Sequence, residues 1–298
     1  MRRFLTLMGI LLLVAAPALA GHGRFGRGTN ISISDDDWRD LTDCSQIRVT
    51  FDGDRAVMTS EEIAVGGNAL RVRSSHHGGI RASGWEGSGY SVKACKAVDS
   101  GVDAAAVRVV RSGNELSVDG PDGERWVLYF IVRVPRGATL DLASTNGPIG
   151  IAGVNATVTA NVKNGPVSVK DSSGKIDVRA TNGPISLTGG SGDITMRATN
   201  GPLSVKLDGT AWNGTLEAET QNGPVTLKLP RGYRSGVVVE SRGHGPVSCR
   251  AEDCKRISIY RDSDDDEDDE PRRLELGSGP QAVRLSTVNG PVSIKDRD

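Results

Sequence analysis

In the second half of the chain, apolar and polar residues alternate in short runs, and each run restarts after the tripeptide Asn-Gly-Pro. The tripeptide begins at Asn146, Asn164, Asn182, Asn200, Asn222 and Asn289, and His244-Gly245-Pro246 stands where a further copy would fall. Counted with it, the successive intervals are 18, 18, 18, 22, 22 and 45. Alternation after each tripeptide is strict, as in Val167-Ser168-Val169-Lys170 and Ile185-Ser186-Leu187-Thr188, which puts every second side chain on one face of a strand. The predicted inward set is aliphatic: Ile149, Ile151, Val167, Val169, Ile185, Leu187, Leu203, Val205, Val225, Leu227, Val292 and Ile294. A second alternating strand fills the other half of each period, with Val158 and Val162, Ile176 and Val178, Ile194 and Met196, Val237 and Val239, and Val283 and Leu285 predicted inward.

The turn chemistry agrees with two strands per period. Asn tolerates left-handed backbone angles, Gly accepts them freely, and Pro fixes its own φ while lacking an N–H, so it suits the first residue of a strand. Antiparallel hairpins also use Asn-Gly turns, but a whole two-strand unit repeated in register favours stacking of like on like along an axis. The expectation is an all-β chain with a β-solenoid, or β-helix, over 144–298. Each interval between tripeptides would be one coil of the solenoid. Successive Asn side chains would then form an amide ladder at one corner. At roughly 3.3 Å per residue and about 4.8 Å between coils, such a coil encloses only aliphatic side chains. The last and longest interval is read as one ordinary coil, an acidic disordered insertion at 262–273, and a further coil from about Leu274 to Val288.

Residues 38–143 are β-rich but irregular. Strands are expected at Ile47 to Phe51, Leu70 to Arg73, Tyr90 to Lys96, Val107 to Val110, Leu116 to Val118 and Trp126 to Val134, either as a separate small domain or as atypical coils capping the repeats. Residues 21–37, rich in Gly, Arg, Ser and Asp, are expected to be a flexible tail.

Residues 1–20 place Arg2 and Arg3 before an apolar run from Phe4 to Val14 and then Ala18-Leu19-Ala20, the three-part pattern of a secretory signal peptide. No later stretch reaches the roughly 20 apolar residues of a membrane span. The first cysteine is Cys44, far from the cleavage site, which argues against a lipid anchor. An exported location follows, whether periplasmic, outer-surface or secreted. Removing Arg2 and Arg3 takes the formal charge from −1 to −3, so no basic excess points to nucleic acid. Aromatic residues are 4% of the chain against 38 glycines, which favours a narrow core. In an exported chain Cys44, Cys95, Cys249 and Cys254 read as two disulfides. Of three connectivities, Cys44 with Cys95 and Cys249 with Cys254 close the shortest loops.

Candidate chemistry is sparse, and no catalytic, cofactor-binding or metal residue is assigned. Gly21-His22-Gly23-Arg24-Phe25-Gly26 has the spacing of a dinucleotide fingerprint without the strand and helix that give it meaning. Asp262 to Glu270 holds eight carboxylates in nine positions, but Glu267 and Arg273 replace the Gly and Glu of a calcium loop. His244, Cys249 and Cys254 match no zinc spacing. His76 and His77 are expected in a surface turn, with no Gly-x-Ser-x-Gly nucleophile elbow to partner them. The best case for an enzyme is a carbohydrate-active β-helix using Asp177 and Asp193, which lie nearly one period apart and could stack on adjacent coils.

Gly79-Ile80-Arg81 and Trp85 leading into Tyr90-Ser91-Val92-Lys93-Ala94-Cys95, the Val132-Arg133-Val134-Pro135-Arg136-Gly137 segment, and the Asn-Gly-Pro units together resemble the bacterial adhesin-like β-helical repeat family, over roughly Ile47 to Lys295. That resemblance implies a cell-envelope or surface role and carries over no catalytic residue. The expected function is a non-enzymatic exported scaffold that contacts an envelope polymer or protein partner. A carbohydrate-active enzyme and a periplasmic sensor or assembly scaffold are the alternatives.

Overall fold

The computed structural model describes residues 24–25, 29–33, 41–123, 125–243, 245–256 and 272–297. The signal-peptide segment, His22, His244 and the acidic run Asp262–Glu270 lie outside the described residues.

Described residues form strands and short 3-10 turns, with no α-helix among them, and most strands lie in two eleven-stranded sheets. From residue 139 the chain alternates between the two: Thr139–Asn146 in the first, Ile149–Ala152 in the second, Asn155–Asn164 in the first, Val167–Lys170 in the second, and so on. We call each consecutive pair a rung. Neighbouring rungs pair parallel and in register, so that Val158, Ile176, Ile194 and Leu216 oppose one another in succession, as do Val167, Ile185, Leu203 and Val225. The reason is visible in the side chains. A slip of one residue would turn Ile185 and Leu187 to solvent, and both are buried in one apolar cluster with Ile176 and Val178 of the facing sheet.

The Asn-Gly-Pro corners lock that register. Nδ2 of Asn164 donates to Oδ1 of Asn146 at 3.0 Å, and the same bond runs from Asn182 to Asn164, Asn200 to Asn182, Asn222 to Asn200 and Asn289 to Asn222 at 2.9–3.0 Å. Behind each amide the glycine N–H donates to the next asparagine carbonyl, as from Gly183 to Asn200 at 2.9 Å. Gly183 sits at φ +148°, and a Cβ there would collide with the Gly165 carbonyl oxygen. Only glycine permits so close an approach.

Both sheets continue N-terminal to the repeats. Ala69–His77 pairs parallel with Thr139–Asn146, and Ile80–Trp85 with Ile149–Ala152, so the boundary expected at residue 143 falls inside a strand. Beyond them Trp126–Pro135, Tyr90–Val98 and Val57–Val65 extend the second sheet, these three joined antiparallel. Trp126–Pro135 is apolar almost throughout because it is covered on both faces. One face meets the main core. The other meets a second cluster, including Leu41, Ile47, Phe51 and Tyr129, beneath a small four-stranded antiparallel sheet. That small sheet corrects the expected tail at 21–37: Arg24–Phe25 and Thr29–Ile33 are strands, and Ile31 opposes Val49. The alternation Asn30-Ile31-Ser32-Ile33 suits a strand, and it pairs an edge of Ile47–Phe51 that would otherwise be open.

The C-terminal end also differs from the sequence reading. Rungs there do not stack in chain order. Gln281–Asn289 lies between Leu216–Asn222 and Gly236–Ser241, parallel to both, and Val292–Asp296 lies between Val225–Leu229 and Val247–Cys249. The segment at Leu274 is no coil of its own. Arg272–Leu276 pairs antiparallel with Gly236–Ser241 and ends the first sheet.

Three substitutions test this packing. Val169→Asp places an uncompensated carboxylate in the core and should cost more than about 3 kcal/mol, read as loss of a cooperative thermal transition. At the corner, Gly183→Ala should destabilise by more than about 2 kcal/mol, because the backbones cannot separate without breaking the ladder. Asn182→Ala, which removes exposed amide bonds only, should cost about 0.5–1.5 kcal/mol. Equal effects for the last two in urea melts would contradict the close-approach argument.

Candidate functional site

The asparagines of the repeat form the structural corner described above, and the four cysteines form two disulfides. Cys44 joins Cys95 with Cα atoms 5.3 Å apart, tying the small sheet to the second large one, and Cys249 joins Cys254 at 5.9 Å. The latter two are therefore not free as metal ligands. Among the described residues no group of three His, Cys, Asp or Glu side chains could hold a metal ion. No helix among them is long and apolar enough to cross a membrane.

His76 and His77 are not in a surface turn. They end the strand Ala69–His77, where the His76 ring stacks on Trp126 with centroids 4.0 Å apart and His77 is 9% exposed. The two aspartates of the enzyme reading are not stacked either. In the register of the first sheet Asp177 opposes Thr195, and Asp193 opposes Lys175. Asp177 accepts from Arg179 at 2.7 Å, and Asp193 accepts from the backbone N–H and hydroxyl of Thr215 at 3.1 and 2.8 Å. Their spacing falls two positions short of the full period, which puts them on different rows of the face, each already bonded.

A different row comes together. Near its C-terminal end each strand from Ala69–His77 to Asp193–Asn200 in the first sheet bends where the ladder skips a position: Val162 opposes Ala180 and Asn164 opposes Asn182, while Lys163 and Thr181 between them are not ladder partners. The bends align into a trough of roughly 600 Å³ crossing five strands. One wall is the in-register row Arg73, Ala143, Asn161, Arg179 and Arg197, and the other is Ser75, Thr145, Lys163, Thr181 and Thr199. Five strands at about 4.8 Å make it about 20 Å long.

The trough lining contains four cationic side chains and no carboxylate. Carboxylates sit one row back, on the same or the neighbouring strand, beside the guanidinium groups. Asp141 accepts from Arg73 at 2.8 and 2.5 Å, Asp177 from Arg179, and Glu217 lies 3.8 Å from Arg197. Hydrogen bonding from Arg73 holds the Asp141 carboxyl below the usual carboxylate range, and the same bond raises Arg73. Lys163 is exposed and has no ion pair among the described residues. At the floor, Ser74 and Ser144 are 1% and 4% exposed, and their hydroxyls have no hydrogen-bond partner among the described residues. In the same row further along, Thr220 and Thr287 donate to the carbonyls of Gly201 and Gly223, each at 2.9 Å.

The sequence contained part of this signal: Asn161, Arg179 and Arg197 recur at the period of the tripeptide. Arg73 lies outside the periodic region, so only the pairing of Ala69–His77 with Thr139–Asn146 reveals that it heads the row.

No family model matches the chain, and no curated protein matches it. Several solved structures are similar at low identity. A "putative cell adhesion protein" from Clostridium sporogenes aligns over 81% of this chain and 100% of that one, at 12% identity and a TM-score of 0.31. A "putative adhesin" from Bacteroides fragilis aligns over 81% and 97%, at 10% identity and 0.28. A "putative lipid binding protein" from Parabacteroides distasonis aligns over 81% and 97%, at 10% identity and 0.27. Overlaps of this size assign no role to any residue of this chain.

The Arg73–Asp141 pair makes the rim of the trough acid-sensitive. Because the folded Asp141 pKa is depressed, its contribution is present above the ordinary carboxylate range and is lost as pH falls below about 4. Thermal melts from about pH 6 downward should therefore fall less steeply for Asp141→Asn than for the parent chain; parallel curves would show that the pair adds nothing to stability.

Proposed function

We propose that this chain is an exported, non-enzymatic β-solenoid whose trough holds an extended acidic polymer of the cell envelope. The observation that carries this reading is the trough itself. A linear ligand meets polar side chains spaced by the strand separation, with a cation on four of the five strands and a hydroxyl beside three of those cations, and an extended polymer is the ligand that such a surface suits. An arginine bound to a carboxylate through part of its fork keeps further N–H donors for a ligand. Lys163, which has no carboxylate partner among the described residues, supplies the least compensated charge. The two disulfides favour an oxidising compartment, in keeping with the signal-peptide pattern. Residues 38–143 in this reading are an irregular N-terminal cap continuous with the repeats, and the asparagine corner is structural. The placement of Asp177 and Asp193 on separate rows leaves no facing carboxylate pair between them for glycoside hydrolysis.

The test is an array of acidic and neutral envelope glycans probed with the mature chain, with and without calcium. The parent should bind acidic chains, more weakly as salt rises, and Lys163→Glu with Arg197→Glu should lose at least ten-fold in affinity while keeping the parental circular dichroism. Equal binding of the double variant would remove the trough from the interaction, and silence across the array would overturn the polymer reading in favour of a protein partner.

A further inference from the structure

The C-terminal rung is out of chain order, at a place in the fold separate from the trough. Up to Leu229 the chain stacks each rung on the previous one. It then crosses two layers to Gly236–Ser241 and Val247–Cys249, leaving a one-rung slot that Gln281–Asn289 and Val292–Asp296 fill from the far end of the sequence. We propose that this slot also accepts the same C-terminal arch from a second copy of the chain, giving an exchanged dimer.

Both sides of the slot are strand edges, the natural template for adding a strand, and its chemistry is specific. Leu285 enters between Ala218 and Val239, Val292 between Val225 and Val247, and Ile294 between Leu227 and Cys249. Asn289 donates its amide to Asn222 at 2.9 Å, extending the ladder, and the Thr287 hydroxyl donates to Gly223 O at 2.9 Å. The tip is latched: the Arg297 N–H donates to Leu229 O at 2.9 Å, its guanidinium donates to Leu207 O at 2.9 Å and pairs with Asp208, and Asp296 accepts from the Glu252 N–H at 3.1 Å. None of these contacts depends on which chain supplies the arch. Arg256 and Arg272 stand at the two ends of the connection, and the chain between them has a contour of up to about 50 Å, enough to carry the arch to a neighbouring molecule. Contacts being identical, concentration decides. A tethered arch has an effective concentration on the order of millimolar, so single molecules prevail in dilute solution and exchange is captured by folding at high concentration.

The experiment uses the full mature chain with a protease site substituted into the acidic run, in tagged and untagged forms, disulfides intact. The two are unfolded together in guanidinium and refolded over a range of concentrations. Mixed dimers should appear in tag pull-downs and rise in proportion with protein concentration. Cleaving the connection should then turn them into monomers that each retain a bound C-terminal fragment, because the arch is held by contacts and only the connection joins the two bodies. Monomers alone at every concentration would overturn the proposal, as would dimers that survive cleavage, which would mark association through an outer face. Failure here leaves the trough reading untouched, since glycan binding is read on the monomer.

Discussion

The constraint on which the rest depends is the backbone-to-backbone approach at the Asn-Gly-Pro corner. A side chain at the glycine would meet the carbonyl of the rung before it, so neighbouring rungs stay in contact only with glycine there. The amide ladder fixes the register between neighbouring rungs to the residue. Once that corner is set, the inward aliphatic rows follow from alternation, and the narrow core follows from the shortness of the strands. Hydrophobic burial drives the stacking; the corner makes its register unique.

Residue-for-residue register has a second consequence on the outer face. Any residue type that recurs at the repeat becomes a line along the stack rather than a scatter of surface positions. Asn161, Arg179 and Arg197 are one such line, and the bend beside Lys163 and Thr181 turns it into a wall. Carboxylates one row back brace the arginines: Asp177 reaches Arg179 because alternate residues of a strand project together, and Asp141 reaches Arg73 across the neighbouring strand. The geometry that stabilises the fold thereby also builds the trough on its outer face.

Legibility in the sequence tracked local periodicity. The inward rows from Ile149 to Leu227 could be read because period-2 alternation and the tripeptide agree, and Trp126–Pro135 stood out because a strand buried on both faces is apolar throughout. Val57–Val65 escaped because it is an edge strand with mostly exposed residues, Val57 among them. Thr29–Ile33 was hidden in a polar, glycine-rich context, and its partner Ile47–Phe51 is not adjacent in sequence. His76 looked like part of a turn because Gly78-Gly79 follows it, yet a tertiary contact with Trp126 decides its place. The trough was half visible: its periodic arginines could be read, but Arg73 enters the row only through pairing between segments far apart in the chain.

The inverted order at the C-terminus was not legible for a deeper reason. The rungs share one kind of turn and the same aliphatic rows, so spacing along the chain identifies rungs without saying how they are ordered in space. The same uniformity that lets one rung stack on any other lets the last rung seat between two earlier ones. What distinguishes its position is only at the ends, where Arg297 reaches Leu207 and Asp208, and where Arg272–Leu276 turns antiparallel and closes an edge that another parallel rung could otherwise extend. A repeat with interchangeable units needs such terminal devices to stop growth, and here the stop and the inserted rung belong to one continuous C-terminal segment. Placing that segment therefore completes the core and terminates the first sheet in the same step.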